Sequence, residues 1–140
     1  MKEMHTSESW LERHISLHTH DDAKAERENA LTHFVGAGLA LIALVMIFVR
    51  LPSLHSAALR FGMVVYGCTM LLLYGASGLY HHLPVGDGKR FCRILDHSNI
   101  YFLIAGTYTP ILLYIGSHKT VMIAWGIWLV AFAGVAFTLV

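Results

Sequence analysis

Charged residues are scarce in this chain, and their scarcity excludes most soluble proteins. Of the 140 residues only 14% are charged, whereas 56% are hydrophobic, and the mean hydropathy is +0.56. Eleven of the charged residues lie before residue 29, so the rest of the chain carries only eight. The net charge of +1 leaves no strong basic field, which argues against a nucleic-acid partner. The composition indicates a polar head followed by an apolar body.

Cysteine is also rare. Cys68 lies in an apolar run and Cys92 in a basic segment, and there are no others. Two such residues provide neither a disulfide framework nor the CxxC spacing of a metal site. The length leaves room for one domain at most.

Long uncharged runs are the main feature of the body. There are four, at residues 30–49, 61–80, 97–118 and 120–140, and each has at least 20 residues. A helix needs ~20 apolar residues to cross the core of a bilayer. We therefore predict an all-α, polytopic membrane helix bundle at residues 29–140 with four transmembrane helices, preceded by a polar cytoplasmic tail at residues 1–28.

The distribution of basic residues predicts the orientation. Seven Lys and Arg residues fall in the tail and in the loop expected after the second run, against three on the opposite side. Those of the loop are Lys89, Arg90 and Arg93. Because cytoplasmic loops carry an excess of Lys and Arg, we expect the N-terminus in the cytoplasm and the protein in the cell membrane.

Polar residues of the apolar body gather at this same membrane face. His33 lies at the start of the first run, Ser77 and His81 at the end of the second, and Asp96 at the start of the third. Asn29, His97 and Asn99 accompany them. Imidazoles, a hydroxyl and a carboxylate at one end of a bundle are suited to a metal site or to proton transfer.

Simpler interpretations exist for each residue. Asp96 could be the N-cap of the third helix, and Ser77 could bond a carbonyl of the preceding turn. His82, His97 and His118 are each consistent with interfacial residues. Pro110 should bend the third helix, with Thr107 and Thr109 bonding to the freed carbonyls.

The motifs resemble a known family. The segments ERENALTH (26–33), SGLYH (77–81), LDHSNIY (95–101) and IAGTYTP (104–110) are together similar to the haemolysin III branch of the progestin and adiponectin receptor superfamily. That family is built on seven transmembrane helices, so the resemblance implies that this chain is truncated after the fourth.

The resemblance also implies a zinc site. It makes His81 a zinc ligand, Asp96 the holder of the zinc-bound water and Ser77 a group that steadies the water or a substrate oxygen. Two more ligands would come from a His-x-x-x-His motif in a seventh helix, which nothing in this chain matches. The expected site is therefore incomplete.

The polar residues and the family resemblance are consistent with several functions. A zinc-dependent hydrolase of a lipid amide or ester is the first, with this chain alone inactive. A membrane-damaging pore former and a receptor or regulator of membrane lipid state are the alternatives. Membrane lipids are the expected partners, with a homo-oligomer or missing C-terminal helices completing the structure.

Overall fold

The structure is a computed structural model that describes residues 9–17 and 23–138. Within these ranges it contains helices and no β-strand. A short helix, α1, covers Trp10–His14, and four long helices follow: α2 (Ala23–Arg50), α3 (Ala57–His82), α4 (Asp87–Ile115) and α5 (His118–Thr138). A 3-10 turn at Leu51–Ser53 extends the end of α2.

The four long helices are each long and apolar enough to cross a membrane. Many of their large apolar side chains point outward; Val49, for example, is 73% exposed and Trp125 is 70% exposed. Such a surface is unfavourable in water, but in a bilayer the same side chains contact lipid. The predicted all-α membrane bundle is confirmed.

The helices pack in chain order. α3 lies between α2 and α4, and α5 packs against α4. The connections are short, so neighbouring helices run antiparallel. The starts of α2 and α4 and the end of α3 therefore meet at one end of the bundle, here called the polar end.

A tight turn joins α4 to α5. Gly116 has a φ of 66°, a left-handed conformation that glycine adopts without steric cost. The next residue, Ser117, accepts a hydrogen bond from the backbone N–H of Thr120 at 3.2 Å and caps the start of α5. The uncharged run at 97–118 is thus divided by this turn, and His118 is the first residue of α5.

The start of α4 corrects one interpretation. The helix begins at Asp87, so Lys89, Arg90 and Arg93 belong to its first turns and not to a loop. The cap position is Gly86, and Asp96 lies inside the helix. The interpretation of Asp96 as an N-cap is therefore wrong. Lys89 and Arg90 are compatible with this extension because carboxylates of other segments pair with them, as Glu12 does with Arg90 at 3.6 Å.

Pro110 lies within α4, which continues to Ile115. The hydroxyls of Thr107 and Thr109 donate to the carbonyls of Leu103 and Ala105, each at 2.7 Å. These bonds are of the predicted kind, but they do not involve the carbonyl of Gly106, which is the one that Pro110 leaves without its usual donor.

The predicted polar tail at 1–28 is described in part, since residues 1–8 and 18–22 lie outside the described ranges. α1 packs against α4. Ser9 caps α1 by accepting from the N–H of Glu12, and its hydroxyl donates to Asp87 Oδ1 at 2.8 Å. Arg93 Nη1 also donates to the carbonyl of Ser16. α2 begins at Ala23, inside the predicted tail.

A close backbone approach between α3 and α4 provides a test of the packing. A Cβ at Gly62 would lie 2.8 Å from the Cα of Pro110, which cannot rotate away as a side chain could. We expect Gly62→Ala to lower the free energy of unfolding in detergent by about 1–3 kcal/mol.

The control is Gly75→Ala on the same helix, where a Cβ would meet nothing within 4 Å. This variant should be as stable as the parent or slightly more stable, because alanine favours helix. Equal unfolding curves for the two variants would contradict the described packing.

Candidate functional site

A hydrogen bond between α2 and α3 is the centre of the candidate site. His33 Nδ1 lies 2.6 Å from Ser77 Oγ, in a partly buried position. The two helices approach closely here because Gly78 faces Phe34, whose ring would lie 2.8 Å from a Cβ at Gly78. The hydroxyl and the imidazole are thus held together by the packing of two helices.

His81 completes this group from one turn further along α3. Its ring lies edge-on to that of His33, with the ring centroids 5.5 Å apart. His81 Nδ1 is buried and makes no hydrogen bond with the described residues, although Glu26 Oε1 is 3.5 Å away. A buried ring nitrogen without a hydrogen bond is costly, and the Glu26 carboxylate is the described group that lies nearest to offset that cost.

A buried ion pair lies beside His81. Lys89 Nζ of α4 donates to Glu26 Oε2 of α2 at 2.7 Å, and the Lys89 side chain is only 5% exposed. The same ammonium donates to the carbonyl of Leu83 at 3.2 Å and lies 4.9 Å from the centroid of the Tyr80 ring. This pair connects the starts of α2 and α4 to the end of α3.

These five residues, His33, Ser77, His81, Glu26 and Lys89, are called the polar cluster below. Two of the three predicted site residues, Ser77 and His81, belong to it. The third, Asp96, lies on α4 with its carboxylate 4.0 Å from His97 Nδ1, and no described contact joins it to Ser77 or His81.

The other predicted polar residues lie apart from the cluster. His82 lies edge-on to Phe34, with centroids 6.0 Å apart, on another face of α3. His97 Nδ1 is 2.9 Å from the carbonyl of Arg93, and the His97 side chain is about half exposed. Asn99 is buried and donates to the carbonyl of Leu72 at 3.2 Å. The contacts of His97 and Asn99 with backbone carbonyls indicate structural roles.

The geometry bears on whether these residues could hold a zinc ion. Among residues 9–17 and 23–138 there is no group of three His, Cys, Asp or Glu side chains that could hold a metal ion. Catalytic zinc has three protein ligands as a rule. His81 offers a buried nitrogen, but the described residues do not by themselves fit a zinc ion.

The polar cluster is nevertheless equipped for proton transfer. A hydroxyl hydrogen-bonded to a neutral imidazole can pass its proton to the ring and receive another from a bound water. Burial among helices strengthens such interactions because the local dielectric is low.

The sequence reasoning missed the pair of Glu26 and Lys89 as part of the site. The sequence assigned Glu26 only to a family motif and Lys89 only to a basic loop. One signal was available: ionisable residues near the ends of membrane helices are costly, so each needs a partner of opposite charge.

The chain is similar to known proteins of one family. The family described as "Haemolysin-III related" matches residues 22–140. The chain is 43% identical over 90 residues to "Hemolysin-3" of Bacillus cereus, covering 64% of this chain and 41% of that protein. It is also 43% identical over 90 residues to the "Hemolysin-3 homolog" of Bacillus subtilis (strain 168), covering 64% and 42%. The match thus spans less than half the length of these relatives. No solved structure matches the chain.

The buried ion pair predicts that replacing Lys89 destabilises the protein much more than replacing Lys24. Lys89→Met removes the ammonium from the Glu26 carboxylate, whose side chain is 16% exposed, and leaves it only the longer 3.5 Å contact with His81 among those described. We expect the free energy of unfolding in detergent to fall by roughly 3–5 kcal/mol.

Lys24→Met is the matched control, because Lys24 is 81% exposed and pairs with Glu28 one turn away. Its effect should stay below about 1 kcal/mol. Adding Glu26→Gln to Lys89→Met should recover part of the loss. Similar effects of the two lysine variants would show that the ion pair does not stabilise the bundle.

Proposed function

Because this chain belongs to the haemolysin-III-related family, we propose that it is part of a membrane-embedded hydrolase that cleaves an amide or ester bond of a lipid. The observation that carries the proposal is the 2.6 Å contact between His33 Nδ1 and Ser77 Oγ. It is supported by the buried nitrogen of His81 beside it. The activity is proposed for the whole protein that contains this chain.

The proposed chemistry is a proton relay. A water molecule donates a hydrogen bond to Ser77 Oγ, and the Ser77 hydroxyl donates to His33. As the water oxygen adds to the carbonyl carbon, Ser77 takes the water proton and gives its own proton to His33. When the carbon–nitrogen or carbon–oxygen bond of the lipid breaks, the proton returns by the same path to the leaving amine or alcohol.

Location in the membrane supports a lipid substrate. The polar cluster lies at the end of helices whose outer surfaces are apolar, so a carbonyl near the headgroups of a lipid is within reach while its acyl chains stay in the bilayer. The apolar surfaces around this site would not help to bind a water-soluble substrate.

Zinc enters through the family resemblance, with His81 as the proposed ligand. Since the described residues do not complete a zinc site, no step above is assigned to a metal. Zinc binding would require ligands from outside the described residues or from a second copy of the chain. Metal analysis of the protein isolated from its native membrane, with its intact mass compared with 15.6 kDa, tests this part separately.

Hydrolysis is tested with the protein isolated from its native membrane and returned to vesicles that contain a lipid amide or a lipid ester. Fatty acid release is measured by mass spectrometry. We expect Ser77→Ala to lower the rate at least about 100-fold, the usual contribution of a proton-transfer group. Thr107→Ala, which removes an exposed hydroxyl of α4, should leave the rate unchanged.

Asp96→Asn separates this function from the alternatives. The family resemblance gives Asp96 a role in hydrolysis, although no described contact joins it to Ser77 or His81. If that role holds, cleavage falls sharply in this variant, whereas unchanged cleavage would leave the Ser77–His33 relay in place and remove Asp96 from the site. Absence of cleavage by the parent protein, together with leakage of a dye from the vesicles, would overturn the proposal in favour of a membrane-damaging protein. Unchanged cleavage in Ser77→Ala would exclude the relay.

We also propose that the polar end of the bundle faces the cytoplasm of the cell, on the basis of the basic residues there. In a chain whose native cysteines are replaced by alanine, Lys24→Cys should react with a membrane-impermeant maleimide only after lysis. His55→Cys, between α2 and α3, should react in intact cells. The reverse pattern would invert the orientation.

A further inference from the structure

A cavity lies at the polar end, apart from the polar cluster and on another face of α2. Its volume is about 660 Å³, and its described lining comes from the first turns of α2 and from His82 at the end of α3. The lining residues fall into two groups. The polar ones are Lys24, Arg27, Glu28 and His82, and the apolar ones are Ala23, Ala30, Leu31 and Phe34.

The charge of this cavity is mainly positive. Glu28 is its only acidic lining residue among those described, and Lys24 lies 3.7 Å from it, so their charges offset each other. Arg27 makes no hydrogen bond or ion pair with any described residue, which leaves its guanidinium available. His82 adds a ring nitrogen that can donate or accept.

Along α2, the charged lining residues Lys24, Arg27 and Glu28 come before the large apolar ones, Leu31 and Phe34. Arg27 and Leu31 are one turn apart on the same face of α2, and Phe34 follows on the next turn. From Arg27 to Phe34 the helix rises about 10 Å, given 1.5 Å per residue. The cavity is therefore cationic where the helix leaves the membrane and apolar where the helix enters its core.

We propose that this cavity binds an anionic glycerophospholipid, with Arg27 on the phosphate and an acyl chain along Leu31 and Phe34. A guanidinium is the side-chain group best matched to a phosphate, because it offers paired donors in one plane. The gradient from cation to apolar surface matches one end of a lipid molecule and does not match a free ion.

The lipid site is separate from the polar cluster. His33 and Phe34 are consecutive residues and project about 100° apart around α2. His33 contacts Ser77, whereas Phe34 contacts Gly78 and His82. The proposal therefore does not depend on the proposed hydrolysis, and either can fail alone.

The test is native mass spectrometry of the full-length protein in detergent with phosphatidylglycerol or phosphatidylcholine of identical acyl chains. We expect phosphatidylglycerol to bind more tightly. Arg27→Gln should weaken its binding about fivefold, as loss of one basic residue near an anionic headgroup does. Phosphatidylcholine binding should change little.

Arg60→Gln is the matched control, since Arg60 lies at the start of α3, at the opposite end of the bundle. It should retain phosphatidylglycerol as the parent does, and Arg27→Lys should retain more than Arg27→Gln. Melting temperatures of all variants should agree, because Arg27 has no described partner to lose.

Three results would overturn the proposal. Equal loss in Arg27→Gln and Arg60→Gln would indicate general attraction to the protein's charge. Equal binding of both lipids would show that headgroup charge is not recognised. Release of bound phosphatidylglycerol by millimolar inorganic phosphate would identify a site for free phosphate instead of lipid.

Discussion

The absence of water within a bilayer is the constraint on which this structure depends. A polar side chain there must find its partner within the protein or lie near a surface. The chain meets this constraint by keeping Lys, Arg, Asp and Glu out of the middle of the long helices; the deepest of them among the described residues, Asp96, is the tenth residue of α4. Lys89 is the clearest case: although it is almost fully buried, its ammonium contacts the carboxylate of Glu26 and the carbonyl of Leu83. That pair connects three helices at the place where His33, Ser77 and His81 meet.

The packing of the helices explains why the site has its shape. Small residues allow α3 to approach both neighbours, with Gly78 against Phe34 on one side and Gly62 against Pro110 on the other. A close approach fixes the side chains near it, because neither helix can shift without steric overlap. The 2.6 Å contact of His33 with Ser77 is thus a product of backbone packing as much as of polar attraction.

The sequence was informative about the fold and less so about the site. Four uncharged runs predicted four helices, because length and charge are sufficient to identify membrane spans. The start of α4 could not be found this way, since Lys89, Arg90 and Arg93 interrupt the apolar pattern without interrupting the helix. The antiparallel packing of α2 and α3 brings His33 to Ser77. The sequence predicted only that the two residues lie at the same face of the membrane. Helix rotation decides which atoms of His33 and Ser77 meet, and it also keeps Asp96 out of hydrogen-bonding contact with them. Periodicity determines helix rotation poorly in helices that are apolar on all sides.

Packing in chain order has a consequence for biosynthesis. Since the extensive contacts join helices that are adjacent in the chain, each helix can dock on the one inserted just before it. The bundle can therefore form progressively as the ribosome delivers it to the membrane. α1 is the exception, because Ser9 and Glu12 contact Asp87 and Arg90, which are translated much later. α1 precedes the long helices in the chain, yet its described contacts can form only after α2, α3 and the first turns of α4 have been synthesised.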